Sequence, residues 1–210
     1  MLYSSTRGGE KNVSFSSAVL NGLASDGGLY VPNKFPSFSK NELEKLSKLD
    51  FPELSFEVTK RFISQKDIPH DIYKRICLKT YSKDFSKKII DISNLNKKEY
   101  ILNLYNGPTL AFKDYALQLL GNIYDYILEK ENINLTIIGA TSGDTGSAAI
   151  YGCSKSKKIN MFILFPHKKV SEIQRRQMTT FKSKNVYSIA VKGDFDDCQK
   201  LVTDFFKNGK

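Results

Sequence analysis

The chain has 210 residues, 40% of them hydrophobic, which is enough to fill the core of one large domain or two small ones. No apolar run approaches the roughly 18 residues of a membrane span, and the N-terminus lacks the apolar core of a signal peptide, so we expect a cytoplasmic protein. Three widely spaced cysteines with no Cys-x-x-Cys pair argue against a disulfide framework and against a zinc site.

The net charge of +10 raises the question of a nucleic-acid partner. Arginine, the residue favoured for phosphate contacts, supplies only five of the 32 basic residues, and the lysines are scattered along the chain. Scattered lysines are typical of a solvated surface. We therefore expect no nucleic-acid partner and no membrane partner, although the positive field would also attract an anionic substrate or cofactor.

The first 95 residues combine turn signals with segments of mixed helical spacing. Turns at residues 26–28 and 32–33 enclose a short predicted strand at residues 29–31, and helical spacing is found in residues 40–49 and 68–81. We interpret residues 1–95 as a mainly helical N-terminal domain.

The remaining residues, 96–210, show a regular alternation of apolar runs and amphipathic segments. This alternation predicts an α/β domain of parallel β-α units. The predicted strands are residues 100–105, 135–140, 161–165 and 186–191, and the predicted helices are residues 113–130, 144–155, 171–182 and 195–208.

The segment NGPTLAFKD at residues 106–114 places one lysine among apolar residues, between a Gly-Pro turn and a predicted helix. A lysine attacks an aldehyde only as the free amine, which apolar surroundings favour. Lys113 is therefore a candidate imine-forming residue at a helix start. Considered alone, the segment also fits a solvated lysine in a first helical turn.

A second signal lies at residues 135–146, where an apolar run ends in small hydroxyl residues and glycines. The pattern predicts a strand that leads through a loop into a helix, whose first N–H groups and neighbouring hydroxyls would bind a carboxylate or a phosphate. The other interpretation is an ordinary helix cap formed by Thr141 or Ser142. The loop matches neither a Walker loop nor a Gly-x-Gly-x-x-Gly fingerprint.

Together, these two motifs resemble those of the threonine synthase family, fold-type II enzymes that depend on pyridoxal 5′-phosphate. The resemblance extends in order from residue 3 to residue 199, and it implies a tryptophan synthase β-like fold. The other segments that carry it are residues 3–8, 22–32, 165–167, 170–174, 177–180 and 193–199.

The resemblance implies that Lys113 is the Schiff-base lysine and that Phe112 lies beside the cofactor. Asp144 stands where many fold-type II relatives have an asparagine near the cofactor's phenolic oxygen, and a carboxylate there would need a proton or a hydrogen-bond donor. Asn106 replaces a histidine of the family, so we assign it no proton transfer. The residues implied to hold the substrate's carboxylate are Thr141, Ser142, Gly143 and Thr145.

The implied activity converts O-phospho-L-homoserine and water to L-threonine and phosphate, so the implied partner is the small-molecule substrate O-phospho-L-homoserine. The oligomeric state stays open. No metal is implied. The phosphate cradle and the ring-nitrogen partner of the cofactor have no counterpart after Lys113, so we expect the N-terminal half of such an enzyme, inactive by itself. The alternatives are another fold-type II enzyme, such as a β-replacing synthase or a dehydratase, and a catalytically dead relative that binds an anion.

Overall fold

The computed structural model describes residues 1–208 and divides the chain into two units, the first ending at Lys83 and the second beginning at Asp84. The sequence predicted this division near residue 95. The boundary lies earlier because the segment after Asp84 is bonded to the second unit: Ser86 N donates to Asn106 O at 3.0 Å, and Tyr115 Oη donates to Ile89 O at 2.5 Å.

The first unit is mainly helical, as predicted, and carries a small antiparallel sheet. Its core is formed by two helices, α3 (Phe51–Thr59) and α4 (His70–Thr80). Between them, the buried Tyr73 makes a 2.8 Å hydrogen bond with Thr59 Oγ1. Its elements in chain order are β1 (Tyr3–Ser5), α1 (Phe15–Asn21), β2 (Tyr30–Pro32), α2 (Lys40–Leu46), α3 (Phe51–Thr59), a 3-10 turn (Lys60–Phe62) and α4 (His70–Thr80).

Two helices of the first unit were missing from the sequence prediction, although both begin at ordinary caps. The Ser14 side chain accepts a hydrogen bond from Ser17 N at the start of α1, and the Asp50 side chain accepts one from Glu53 N at the start of α3. Helix α1 has seven residues, too few for its apolar spacing to be evident. Capping residues were therefore the stronger local signal here.

The second unit contains the parallel β-α series. Strands β5, β6 and β7 form a parallel sheet in that order, with helices between them, as the alternation predicted. The elements are β3 (Asp91–Asn94), β4 (Tyr100–Asn103), α5 (Asp114–Glu131), β5 (Leu135–Ala140), α6 (Asp144–Cys153), β6 (Ile159–Pro166), α7 (Glu172–Thr179), β7 (Val186–Val191) and α8 (Phe195–Asn208).

One predicted member of the parallel series is wrong. Strand β4 pairs antiparallel with β3 in a separate two-stranded hairpin, with Asp91 opposite Asn103. The turn between them is closed by Leu95 N, which donates to Glu99 O at 3.0 Å. Five residues between two strands permit only a hairpin, since a parallel crossover needs a dozen or more.

Helices α5 and α6 pack with their backbones in close contact. A Cβ on Gly121 would lie 2.3 Å from Gly152 O, and a Cβ on Gly152 would lie 2.6 Å from Leu117 O, so only glycine fits at either position. Gln118 also donates to Ala148 O at 3.1 Å. Among the helices of residues 1–208, none combines the length and the apolarity needed to cross a membrane.

Candidate functional site

Lys113 lies immediately before α5, at the helix start that the sequence predicted. Its backbone is helical, and its carbonyl oxygen accepts the first helical bond from Leu117 N at 2.9 Å. The Nζ atom lies 4.2 Å from the centroid of the Phe112 ring. The Phe112 side chain is 60% exposed, so the amine and the ring form an open, partly apolar surface.

The segment that precedes Lys113, residues 107–113, is called the lysine loop below. Leu110 in this loop has φ +62°, a left-handed backbone that costs a bulky residue roughly 1–3 kcal/mol. The turn is closed by Leu110 N, which donates to Gly107 O at 3.1 Å, and the leucine side chain remains 69% exposed. Strain of this kind clusters at functional sites, so the lysine loop is a candidate functional segment.

Asp114, the first residue of α5, was missed by the sequence analysis. It is fully buried and accepts three hydrogen bonds: 2.8 Å from Thr109 N, 2.9 Å from Thr109 Oγ1 and 2.9 Å from Gln118 Nε2. A carboxylate in the first turn of a helix is an ordinary N-terminal signal, so nothing in the local sequence distinguished this one.

The loop at residues 141–146, called the glycine loop below, leaves the carboxyl end of β5 and starts α6. Thr141 is 2% exposed, and its Oγ1 accepts hydrogen bonds from Gly143 N at 3.0 Å and Gly146 N at 2.8 Å. The helix cap itself is Gly143, and neither Thr141 nor Ser142. Thr141 therefore shapes the loop from inside. Its predicted contact with the substrate's carboxylate stays a prediction.

Ser142 and Thr145 are the hydroxyl residues that the glycine loop exposes. Within residues 1–208, neither side chain has a hydrogen-bond partner, so both hydroxyls are free for a ligand. Ligands of parallel α/β sheets bind at the carboxyl ends of the strands, and Ala140 ends β5 immediately before this loop. The loop thus combines a helix start with two free hydroxyls, an arrangement suited to an anion.

Helix α7 connects the two loops. Gln174 Nε2 donates to Asp144 Oδ1 at 2.7 Å, and Gln177 Nε2 donates to Thr109 O at 3.0 Å. Gln174 also completes a capping box with Ser171 at the start of α7. Asp144 therefore accepts a hydrogen bond from α7, and the lysine loop and the glycine loop are both bonded to this one helix.

The position of Gln174 also explains the glycine at residue 143. Gly143 has φ +141°, and a Cβ there would lie 2.3 Å from Gln174 Cδ.

On the outer side of α7, Arg175 and then Arg176 bond to Glu172 and lower the pKa of its carboxyl from 4.5 to about 2. Both arginines are thus engaged by a carboxylate of their own helix.

Comparison with known proteins connects this site to one family. The family profile described as "Threonine synthase N terminus" matches residues 2–81, nearly the whole first unit. The threonine synthase of Pseudomonas aeruginosa is 46% identical over 206 residues, which are 98% of this chain and 44% of that protein. That of Schizosaccharomyces pombe is 45% identical, over 97% of this chain and 41% of that protein.

Solved structures agree with the sequence relatives. The PLP-bound threonine synthase of Brucella melitensis matches with a TM-score of 0.91 and 40% identity, over 98% of this chain and 44% of that one. The yeast threonine synthase gives a TM-score of 0.90 at 40% identity, over 99% of this chain and 43% of that one. The predicted fold class is confirmed, and the chain spans less than half the length of these relatives. Over nearly its whole length, the chain matches the N-terminal portion of threonine synthases.

Proposed function

We propose that this chain forms part of a threonine synthase that converts O-phospho-L-homoserine and water to L-threonine and phosphate. The observation that carries the proposal is the connection made by α7, which holds a candidate reactive amine and a candidate anion loop to one helix through Gln177 and Gln174. The substrate is an amino acid with a carboxylate and a phosphate ester, so it needs an anion site and a cofactor aldehyde, which a reactive amine of the protein would hold.

The residues present fit pyridoxal 5′-phosphate. Its aldehyde requires a primary amine, which Lys113 supplies, and its flat ring requires an apolar neighbour, which the exposed Phe112 ring beside the amine supplies. Asp144, held by Gln174, offers a carboxylate oxygen to a polar substituent of the ring. When bound, this cofactor supplies an electron sink for the breaking of C–H bonds next to the substrate's amino group.

Each loop has its own part in the reaction. Lys113 anchors the cofactor covalently through Nζ and, when its amine is free, takes and returns the protons at Cα and Cβ of the substrate. Ser142, Gly143 and Thr145 hold the substrate's carboxylate through hydroxyl and backbone donors at the start of α6. Thr141 keeps those donors in place through its two bonds to backbone N–H groups.

The cysteines support a cytoplasmic location. Cys77, Cys153 and Cys198 are buried and form no disulfide. Burial raises the pKa of the Cys153 thiol to about 12, which makes it a packing group with little reactivity. Persistent free thiols are typical of a reducing compartment.

The activity is tested by assaying threonine and phosphate together in the intact protein, with pyridoxal phosphate and O-phosphohomoserine. Equal molar amounts of the two products are expected. Release of phosphate without threonine would indicate a different reaction and would contradict the proposal.

We also infer that residues 1–210 by themselves do not complete the reaction, because the relatives they match are more than twice as long. The sequence after Lys113 also shows no glycine-rich cradle for the cofactor's phosphate. Steady turnover by the purified 210-residue chain would refute this inference.

A further inference from the structure

We propose that Asp114 is a positioning residue for Lys113, and that its buried carboxylate holds the lysine loop in the one backbone conformation in which the amine can react. The proposal rests on the proposed function, because it takes Lys113 as the reacting amine. Asp114 itself touches neither substrate nor cofactor in this role; it acts through Thr109 and Gln118.

The burial of Asp114 is the first observation. The residue has no exposed surface, and no lysine or arginine within the described residues lies within 4.0 Å of its carboxylate. A buried charge without a cation is costly unless hydrogen bonds satisfy it. Here three donors do so, two from Thr109 and one from Gln118. An apolar side chain would be easier to bury, so we assign the carboxylate the role of fixing the positions of these three donors.

The second observation is that the carboxylate closes the lysine loop on itself. Thr109 is bonded through both its backbone N–H and its hydroxyl, which fixes the residue four positions before Lys113. Gly107 packs directly on the aspartate: a Cβ on Gly107 would lie 2.4 Å from Asp114 Cβ. The two ends of the loop are thus in contact, and the chain between them has little freedom.

The third observation is the strain at Leu110, which lies inside this closed loop with φ +62°. A left-handed leucine persists only when the surrounding structure determines its conformation. The bonds between Thr109 and Asp114 enclose Leu110 on both sides, so they supply that constraint. Without the carboxylate, Leu110 would relax towards negative φ, and Lys113, three residues later, would move with it.

The fourth observation is that the same carboxylate is joined to the other half of the site. The amide of Gln118 bridges Asp114 Oδ1 and Ala148 O of α6, at 2.9 and 3.1 Å. Thr109 O accepts a 3.0 Å bond from Gln177 of α7. Asp114 therefore stands where α5, α6 and α7 meet, and it sets the position of the amine relative to the glycine loop.

The test is Asp114→Asn in the intact, cofactor-loaded protein. Asparagine keeps the shape but replaces one acceptor oxygen with a donor. In place of Oδ2 this donor opposes the Thr109 N–H, and in place of Oδ1 it opposes the Thr109 hydroxyl and the Gln118 amide. We expect cofactor binding to weaken by about tenfold or more, the scale of one hydrogen bond to a charged group. We also expect the visible circular dichroism per bound cofactor to fall, because that signal requires a fixed orientation.

A matched control separates positioning from general stability. The Asn185 Nδ2 group, at the opposite end of the sheet, shares its two hydrogens among Cys153 O, Ser156 O and Ile159 O. Asn185→Ala should lower the melting temperature and leave the dichroism per bound cofactor unchanged. If Asp114→Asn also lowered only the melting temperature, the residue would have a merely structural role and the proposal would be wrong.

Thr109 provides a second pair of variants in case Asp114→Asn does not fold. Thr109→Ser keeps the hydroxyl donor and should retain the dichroism, whereas Thr109→Val keeps the shape, loses the donor and should reduce it. Equal signals from both would overturn the proposal.

Borohydride labelling of the unchanged protein at a lysine other than Lys113 would instead refute the proposed function. Labelling at Lys113 together with full dichroism in Asp114→Asn would refute the positioning role alone.

Discussion

The lysine loop and the glycine loop are held in different ways. A buried carboxylate closes the lysine loop, and a leucine takes the left-handed backbone there at a cost. In the glycine loop, the Thr141 hydroxyl accepts the backbone N–H groups, and Gly143 takes the positive φ without a side chain to strain. The lysine loop is thus fixed by hydrogen bonds to a buried carboxylate. The glycine loop instead uses small residues and leaves its outer hydroxyls free.

The largest effect is expected from removing the amine of the lysine loop. Lys113→Arg keeps the positive charge but cannot bind an aldehyde covalently, so activity should fall by about a thousandfold or more. Borohydride reduction followed by peptide mapping should label Lys113 in the unchanged protein and no residue in the variant. Lys155 is a matched control, since its Nζ also lies over an aromatic ring, 5.4 Å from the centroid of Tyr151. Lys155→Arg should retain activity, and a label on Lys155 would contradict the assignment.

The next largest effect concerns the backbone of the glycine loop. Gly143→Ala combines an unfavourable φ of +141° with a Cβ 2.3 Å from Gln174 Cδ. We expect it to destabilise the protein by roughly 2–4 kcal/mol, measured by urea unfolding. Gly139→Ala, at the end of β5, meets only Ile163 Cδ1 at 3.6 Å and should cost much less. Equal losses in the two variants would show that the close contact with Gln174 is unimportant.

A smaller effect tests whether the free hydroxyls contact the substrate. Ser142→Ala removes an exposed hydroxyl without an internal partner, so stability should change little. Substrate affinity should fall by the value of one hydrogen bond to a charged group, about 1.5–3 kcal/mol. Cofactor affinity should be unchanged. Ser188 lies outside the glycine loop, and its hydroxyl donates to Met178 O at 2.9 Å. Ser188→Ala should therefore leave substrate affinity unaltered. Loss of cofactor with intact substrate binding would show that the glycine loop is misassigned.

The smallest effect is on the helix that joins the two loops. The arginines of α7 lower the pKa of Glu172 from 4.5 to about 2, so this carboxylate stabilises the folded state above pH 4.5. That contribution is lost as the pH falls towards 2, and solvent screening keeps it small. Glu172→Gln should therefore make the free energy of unfolding fall slightly less as the pH is lowered from 4.5 to about 2. Glu131→Gln, which removes a glutamate without an ion pair among residues 1–208, should lessen this fall by a smaller amount.

Much of the second unit could be predicted from the sequence because its signals are local. Strands β5 and β7 have the predicted bounds, and α8 begins and ends at the predicted residues. Lys113 lies at a helix start, as the Gly-Pro turn and the helical spacing indicated. The catalytic role of Lys113 stays a prediction, because covalent attachment of a cofactor is a chemical event that geometry alone does not test.

Only the tertiary structure decided how distant segments meet. The sequence put β4 in the parallel sheet because a strand pattern does not contain the identity of its partner, and β3 proved to be that partner. The bond from Gln177 to Thr109 joins residues 68 positions apart, and no periodicity reports such a contact. Asp114 resembled an ordinary first-turn acid until its burial was known. Caps, turns and amphipathic spacing act over a few residues and are therefore readable in sequence. Burial and long-range hydrogen bonds depend on the whole packed unit, and these fixed the site.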